Sequence, residues 1–386
     1  MPLCQVCNVD KPNANFTKNQ AQRARKGQDS SCKECQSSSA HTQENSSSHV
    51  QSSPLPAHPR ENPSSVLSMP ITLGNEVPQL NAFEVVDVVG KGKGVVAKRD
   101  IRDGELLVLE CPVLKLAGSF KDRFKRSQKA QPKLQASFNK LSAENKANIM
   151  DLASVEEPKT LASIFCTNAV PAGNGSDVGL LCPVISRFNH SCSPNALFHW
   201  IEHVEAEAVR AVCPIPTGSE ICVSYIDLED STLGRQQSLQ DKFGFTCTCP
   251  ACSLSGVARE ESDARRERMA ELDQSIGICG GDNPEMGLRL VDELFRLFGE
   301  EQLCYPGKMG RAAFDAFQMA VYGNRSRSEV RKWANLAYEN YRKGWGEHDS
   351  DCQRMRKYME KPPNRQELMM ENMRHVGGAG AGCPQQ

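Results

Sequence analysis

The chain has 386 residues, 39% of them hydrophobic, and 46 basic against 47 acidic side chains, a formal net charge of −1. That length supports two or three domains and a substantial core. The charge balance excludes any bulk pull towards nucleic acid or anionic membrane, and no run approaches the ~18 apolar residues of a membrane-crossing helix. Seventeen cysteines without a secretory signal argue for thiols and thiolate–metal sites in a reducing, intracellular compartment, nucleus or cytoplasm, and not for disulfides.

The first element is a four-cysteine unit, residues 1–36. Cys4 and Cys7, then Cys32 and Cys35, form two CxxC pairs. Each such turn aims two sulfurs at one ion, and two turns complete a thiolate tetrahedron around Zn²⁺. A redox CxxC would sit in a βαβ context, and none is apparent. Residues 37–80 are rich in Ser, Pro, Gln and His and poor in apolar side chains, so a disordered linker is expected.

From Asn81 the text changes to short β-branched runs cut by glycine, "FEVVDVVGKGKGVVAKRDIRDGELLVLE", which predicts strands and tight turns. Residues 119–164 read as helical, with "SAENKANIM" opening on a Ser-x-x-Asn start. "GLLCPVISRFNHSC" and "EAEAVRAVCPIPTGSEICVSYI" return to strand, with "PTGSE" as the turn between two strands. After Cys252 the pattern is helical to about residue 375; "MGLRLVDELFRLFGEE" and "EVRKWANLAYENYRKGWGE" carry apolar positions at three-and-four spacing. The last residues, 376–386, are expected to fray.

A second cysteine group, Cys247, Cys249 and Cys252 in "FGFTCTCPAC", lacks a fourth ligand. Three thiolates make a poor hydrolytic centre, because they donate too much charge for a bound water to acidify. A closed structural site is expected instead, with Cys192 of "NHSCSPNA" as the natural fourth sulfur.

These residues resemble the SET-domain family of protein methyltransferases, most closely its SET-and-MYND branch and related fungal SET proteins. "VGKGKGVVAKRDIRDGELLVLECPV" is similar to the family's opening glycine motif, "NHSCSPNA" to its central motif, "GSEICVSY" to its Glu-x-x-x-x-Tyr motif and "FGFTCTCPAC" to its zinc tail, in the family's order over residues 81–254. The resemblance implies an α+β fold of small sheets around a knot-like crossing, with a helical insert, a zinc-bound tail, an N-terminal zinc finger and a C-terminal helical domain (255–375). It implies transfer of a methyl group from S-adenosylmethionine to a lysine of a histone or other protein, with two structural zinc ions.

By the same resemblance, Lys91, Gly92, Lys93, Gly94, Asn168, Ser186, Phe188, Asn189, His190 and Phe245 line the cofactor pocket. The alternative for the two lysines is a solvated loop charge, and for Phe245 a core aromatic. Tyr225 is the catalytic candidate, contacting cofactor and substrate channel. Phe243 stands in that channel where relatives often carry a second tyrosine; it widens the site, weakens activity or merely packs. Residues 112–181 contain one cysteine, Cys166, so no internal zinc finger of the MYND type is expected. A non-catalytic SET scaffold that binds protein or chromatin partners through the finger and the C-terminal helices stays open as the second reading. No membrane contact and no direct nucleic-acid binding are expected.

Overall fold

The computed structural model describes residues 3–4, 9–10, 73, 76–117, 123–173, 175–280 and 282–378. The chain divides into two compact units, 1–66 and 67–386. In the first, β1 (Leu3–Cys4) pairs antiparallel with β2 (Val9–Asp10). Cys7, Cys32, Cys35 and most of the expected linker lie outside the described residues.

The second unit opens with a hairpin, β3 (Phe83–Val88) and β4 (Gly92–Ala97), paired antiparallel from Phe83↔Ala97 to Val88↔Gly92. Gly92 has φ +73°, a left-handed conformation that a side chain resists, and this closes the tight turn. β5 (Leu106–Glu110) and β6 (Leu114–Ala117) follow. An insert of three helices comes next: α1 (Arg123–Asn139), α2 (Ala143–Met150) and α3 (Leu161–Asn168). The Ser142 hydroxyl caps α2 by accepting from Asn145 N, as the Ser-x-x-Asn start anticipated.

The helical text over 119–164 is interrupted: residues 151–160 form no helix. Pro158 keeps the end of this stretch out of a helix, since it supplies no N–H and turns Glu157 away from helical geometry.

Two three-stranded antiparallel sheets follow. β7 (Val170–Pro171) and β8 (Val178–Leu181) join β6 in the order β6-β8-β7, and β10 (Ala196–Ile201) and β11 (Ala206–Ala211) join β5 in the order β10-β11-β5. β9 (Asn189–His190) and β12 (Cys222–Val223) pair in parallel, with Cys222 opposite Asn189 and Val223 opposite His190. This pair draws the "NHSC" segment against the strand that leads to Tyr225. The "PTGSE" turn lies between β11 and β12 as expected, with Gly218 at φ +82°.

Seven further helices complete the described residues: α4 (Thr232–Phe243), α5 (Gly256–Cys279), α6 (Pro284–Glu300), α7 (Pro306–Tyr322), α8 (Arg327–Trp345), α9 (Ser350–Glu360) and α10 (Arg365–Gly378). Their apolar faces form one core with the cysteine tail: Cys192, Cys247 and Cys249 share a buried cluster with Leu272, Val291, Phe298, Phe317 and Ala337. A second core lies among the sheets, around Val95, Leu107, Phe188, Val209 and Ile221, and a third fills the insert around Leu134, Ile149 and Phe165. Tyr225 packs against both the helical and the sheet core, at their seam. Each fully buried Leu, Phe or Val contributes about 1.5–3 kcal/mol.

Candidate active site

Two corners meet at Tyr225. The first is built on the β3–β4 hairpin. A Cβ on Gly94 would lie 2.6 Å from Asn189 Nδ2 and 3.1 Å from Glu220 Oε1, so glycine here is a requirement of close approach. Asn189 Nδ2 donates to Lys93 O (3.2 Å) and to Glu220 Oε1 (2.9 Å). The other Glu220 oxygen accepts from Lys91 Nζ at 2.7 Å. Burial works against the Lys91 ammonium, but the hydrogen bond and charge of Glu220 outweigh it and hold its pKa above the ordinary lysine value. Lys93 pairs with exposed Asp87 at 3.0 Å within the hairpin. Both lysines expected to meet a cofactor carboxylate therefore already have acidic partners in the chain.

Glu220 is itself fixed from behind. Asn195 Nδ2 donates to Glu220 O at 2.9 Å, and Asn195 Oδ1 accepts from Cys222 N at 2.8 Å.

The second corner is aromatic. Ring centroids run His190–Tyr225 5.4 Å, Tyr225–Phe243 5.0 Å, Phe243–Phe245 6.5 Å and Phe245–His190 6.2 Å, a closed circuit of four rings. Phe243 ends α4, and Gly244, left-handed at φ +73°, turns the chain so that Phe245 faces the same space. The Tyr225 hydroxyl donates to Phe188 O at 2.6 Å, and Tyr225 N donates to His190 Nδ1 at 3.1 Å. Burial, then the neighbouring Cys222 and Glu220, pushes the Tyr225 phenol well up. The group is thus a neutral dipole at physiological pH and not a base.

His190 links this corner to the cysteines. Its Nδ1 accepts from an amide, so in the neutral ring the proton sits on Nε2, which faces Cys192 Sγ at 3.2 Å. The sulfurs of Cys192, Cys247, Cys249 and Cys252 all lie within 4.8 Å of one another, and no disulfide joins them. Four thiolates about 2.3 Å from one Zn²⁺ stand roughly 3.8 Å apart, so the donor set fits a closed tetrahedral site. Such a centre carries net negative charge, and N–H donors around it are the expected support. The His190 N–H supplies one, and against burial the thiols of Cys192 and Cys252 hold the pKa of buried Arg235 above its ordinary value. Arg266, fully buried, donates to the carbonyls of Cys192 (3.1 Å) and Leu228 (2.8 Å) and pairs with Glu301 at 2.8 Å.

Asn168 and Ser186 are turned elsewhere. Asn168 Nδ2 donates to Ile164 O and Ala153 O, both at 2.7 Å, and the Ser186 hydroxyl donates to Cys182 O at 2.8 Å. The two residues meet each other, Ser186 Oγ to Asn168 O at 3.5 Å. A cavity of about 620 Å³ lined by Arg99, Glu105, Leu106 and Arg210 shares no residue with the Tyr225 site.

Arg235, Arg266 and Glu301 escaped the sequence reading. Arg266 meets Cys192 across 74 positions, and in one dimension it is an ordinary charge on a helix. A short run of arginines in a helix that directly follows a thiolate tail is the only signal the text offers.

The chain is similar to known proteins over part of its length. The family model described as "SET domain" matches residues 92–226. The histone-lysine N-methyltransferase set5 of Schizosaccharomyces pombe is 29% identical over 257 residues, 64% of this chain and 75% of that protein. The histone-lysine N-methyltransferase ASHR1 of Arabidopsis thaliana is 46% identical over 109 residues, 28% of this chain and 22% of that protein. The N-lysine methyltransferase SMYD2-B of Danio rerio is 44% identical over 83 residues, 21% of this chain and 19% of that protein. The likeness thus covers three quarters of the first relative but only about a fifth of the other two. No helix among the described residues is long and apolar enough to cross a membrane.

Proposed function

We propose that this chain, which carries a SET domain over residues 92–226, is an S-adenosylmethionine-dependent methyltransferase acting on lysine side chains of proteins. The observation that carries the reading is the Tyr225 hydroxyl, fixed 2.6 Å from Phe188 O at the meeting point of the glycine hairpin and the four-ring circuit.

The chemistry asked of these residues is specific. A lysine ammonium with pKa ~10.4 is not nucleophilic. A channel walled by Tyr225, Phe243, Phe245 and His190 desolvates it and favours the neutral amine. The Phe188 carbonyl accepts an N–H from that amine, and the Tyr225 hydroxyl holds its direction, so the lone pair points at the reacting carbon. The released proton leaves to solvent before transfer, because the Tyr225 phenol keeps its own proton and both His190 nitrogens are engaged, Nδ1 by Tyr225 N and Nε2 by Cys192 Sγ. S-adenosylmethionine, when bound, supplies a methyl group activated on a sulfonium.

Lys91 and the open hairpin at Gly92 would hold its carboxylate end, with Lys91 sharing its charge between Glu220 and the ligand. Asn189 and His190 would border its middle and Phe245 its adenine. Asn168 and Ser186 would support the pocket wall through their bonds to Ile164 O, Ala153 O and Cys182 O. Cys192, Cys247, Cys249 and Cys252 would hold one structural zinc, and Cys4, Cys7, Cys32 and Cys35 a second. We place the protein inside the cell, in nucleus or cytoplasm, with protein partners that include its substrate.

The test is methyl transfer to a pool of cell proteins, read as methyllysine by mass spectrometry. The wild-type chain should methylate a discrete set, and Tyr225→Phe should not; equal labelling by both would remove Tyr225 from its role. Phe243, which sits 5.0 Å from Tyr225 without a hydroxyl, supports the second reading, a SET scaffold that binds partners without catalysis. Cofactor binding with no methylated product from any pool would favour it.

A further inference from the structure

The Phe188 carbonyl is aimed by the turn that precedes it. Pro183 has no N–H with which to carry β8 onward, and Ile185–Arg187 close a single 3₁₀ turn. Ser186 N and the Ser186 hydroxyl both donate to Cys182 O at 2.8 Å, Arg187 N donates to Val184 O at 3.0 Å, and Phe188 N donates to Ile185 O at 3.1 Å. The amides at the start of such a turn find no acceptor inside it. Val184, at the cap, has an apolar side chain that cannot accept.

A carboxylate from another sheet supplies the acceptor. Glu110, the last residue of β5, accepts from Val184 N through both oxygens, each at 3.1 Å, and from Ile185 N through Oε2 at 3.0 Å. It reaches them across 74 and 75 positions. β5 belongs to the β10-β11-β5 sheet and β8 to the β6-β8-β7 sheet, so the contact ties two sheets where the chain enters the site. The far end of the turn is held too. Arg187 pairs with Asp151 at 2.6 Å, and fully buried Phe188 packs its ring 5.8 Å from that of Phe83. The Phe188 carbonyl then accepts from the Tyr225 hydroxyl.

We propose that Glu110 is a positioning residue for methyl transfer: its carboxylate holds the 184–187 turn and so aims the Phe188 carbonyl that orients the Tyr225 hydroxyl and the substrate amine. The proposal rests on the methyltransferase reading above. The geometry calls for the ionised form. An ionised carboxylate only accepts, whereas a carboxylic acid carries one O–H donor. That O–H would meet the Val184 N–H at Oε1, or would weaken the acceptor that Val184 and Ile185 share at Oε2. The turn shifts to relieve the conflict and carries the Phe188 carbonyl with it, and sub-ångström misplacement of an orienting group slows transfer. Burial raises the Glu110 pKa to about 7, against the amides of Ile185 and Val184, so the change of form falls near neutrality. The titratable groups around it are Glu207 opposite on β11, Cys182 ahead of the turn, Cys111 next in the chain and Lys115 on β6. Glu207, with neither oxygen partnered, keeps its proton up to about 9, and Lys115 is committed to Glu205 at 2.7 Å. Burial also holds the Cys182 thiol well up. Glu110 is thus the member of the Glu110–Glu207 pair that changes form near pH 7.

The experiment uses the full chain with its bound metal, S-adenosylmethionine as donor and the pool of cell proteins as acceptor. Wild type and Glu110→Gln are compared, because the carboxamide copies the protonated acid in offering one acceptor and one donor. Well above pH 7 the variant should transfer about tenfold more slowly in a single turnover, with S-adenosylmethionine affinity within about twofold by calorimetry. The wild-type rate should carry a limb centred near pH 7 that the variant lacks, so the two converge as pH falls. Ionisation of the substrate lysine adds the same slope to both. A role in folding alone would scale the rate by one factor at every pH and leave the limb in place. A second readout needs no activity. In isotope-labelled chain, the Val184 and Ile185 amide protons and the Phe188 carbonyl carbon should titrate together near 7 in the wild type and stay still in the variant. Equal rates above pH 7, a limb kept by Glu110→Gln, or a Phe188 carbonyl resonance that ignores Glu110 would each overturn the proposal. A wild type that labels nothing while its Phe188 carbonyl follows Glu110 would remove the methyltransferase reading and support the coupling.

Discussion

The two walls of the site are built on opposite principles. The cysteine corner is largely buried: three buried cysteines and half-buried Cys252, two arginines and His190, with Arg266 reaching back to Cys192 and across to Glu301. The glycine corner is half open, and its ion pairs, Lys91–Glu220 and Lys93–Asp87, have exposed members. Buried, paired charge is rigid and costly to disturb, while solvated pairs exchange partners at little cost. A methyl-transfer site needs both properties. On the proposed reading, the wall that carries Tyr225 stays fixed, and the wall proposed to receive a charged ligand releases one partner to take another.

The largest expected effect breaks the rigid wall. Cys192→Ser should lose one equivalent of bound metal and more than ~4 kcal/mol of stability, read by elemental analysis and thermal melting. A chelator should reproduce the loss in the wild-type chain. An unchanged metal count would dissolve the contrast between the walls.

Next comes a place where buried charge is not partnered. Glu207 on β11 lies opposite Glu110 on β5, and neither Glu207 oxygen has a partner. Burial, and then the nearby Glu110, pushes the Glu207 carboxyl up to about 9, while Glu110 rises to about 7 through burial, against the amide N–H groups of Ile185 and Val184. An acid whose folded pKa is raised keeps a proton that the unfolded chain releases. Its contribution is complete below about 4.5 and declines as pH climbs through the folded value. Stability should therefore fall between pH 5 and 9, by up to about 1.4 kcal/mol per pH unit for Glu207. Denaturant melts across that range should show the slope, and Glu207→Gln should flatten it. A pH-independent wild type would contradict the assignment.

Arg266→Met should cost roughly 3 kcal/mol, because Glu301 and the carbonyls of Cys192 and Leu228 lose a buried donor. Denaturant titration checks it, and a change under ~1 kcal/mol would mean that the corner is less rigid than described. The smallest effects belong to the open wall. Lys93→Ala should shift stability by less than ~0.5 kcal/mol. Lys91→Ala should do little more to the fold, yet weaken S-adenosylmethionine binding about tenfold in a calorimetric titration, a loss of ~1.4 kcal/mol.

Much of this was legible in the text because local rules were enough. Ser142 capped its helix, the glycines marked the β3–β4 turn, and Cys192 lies with the triplet that lacked a fourth sulfur. What stayed hidden depends on partners remote in sequence. Lys91 and Lys93 read as cofactor-pocket residues or solvated loop charges, and nothing local in the text shows that Glu220 arrives from 129 positions away to take Lys91. Asn168 read as a pocket residue, and its amide also donates to Ile164 O in its own helix, a contact the text does not display. The helical run over 119–164 overlooked Pro158, a breaker visible in the sequence. Arg235, Arg266 and Glu301 carry no mark in one dimension, because a buried ion pair and a solvated one are spelled alike. The four-cysteine unit at the N-terminus lies outside the described residues, apart from the backbone of its first hairpin.

The most direct measurement separates binding from transfer at Tyr225. S-adenosylmethionine affinity and single-turnover methyl transfer would be measured side by side for the wild-type chain and Tyr225→Phe. Removal of one hydroxyl that acts as a fixed dipole should leave affinity within about twofold and cut transfer by about 10²-fold or more. Transfer that survives at the wild-type rate, or affinity that collapses along with it, would contradict the account.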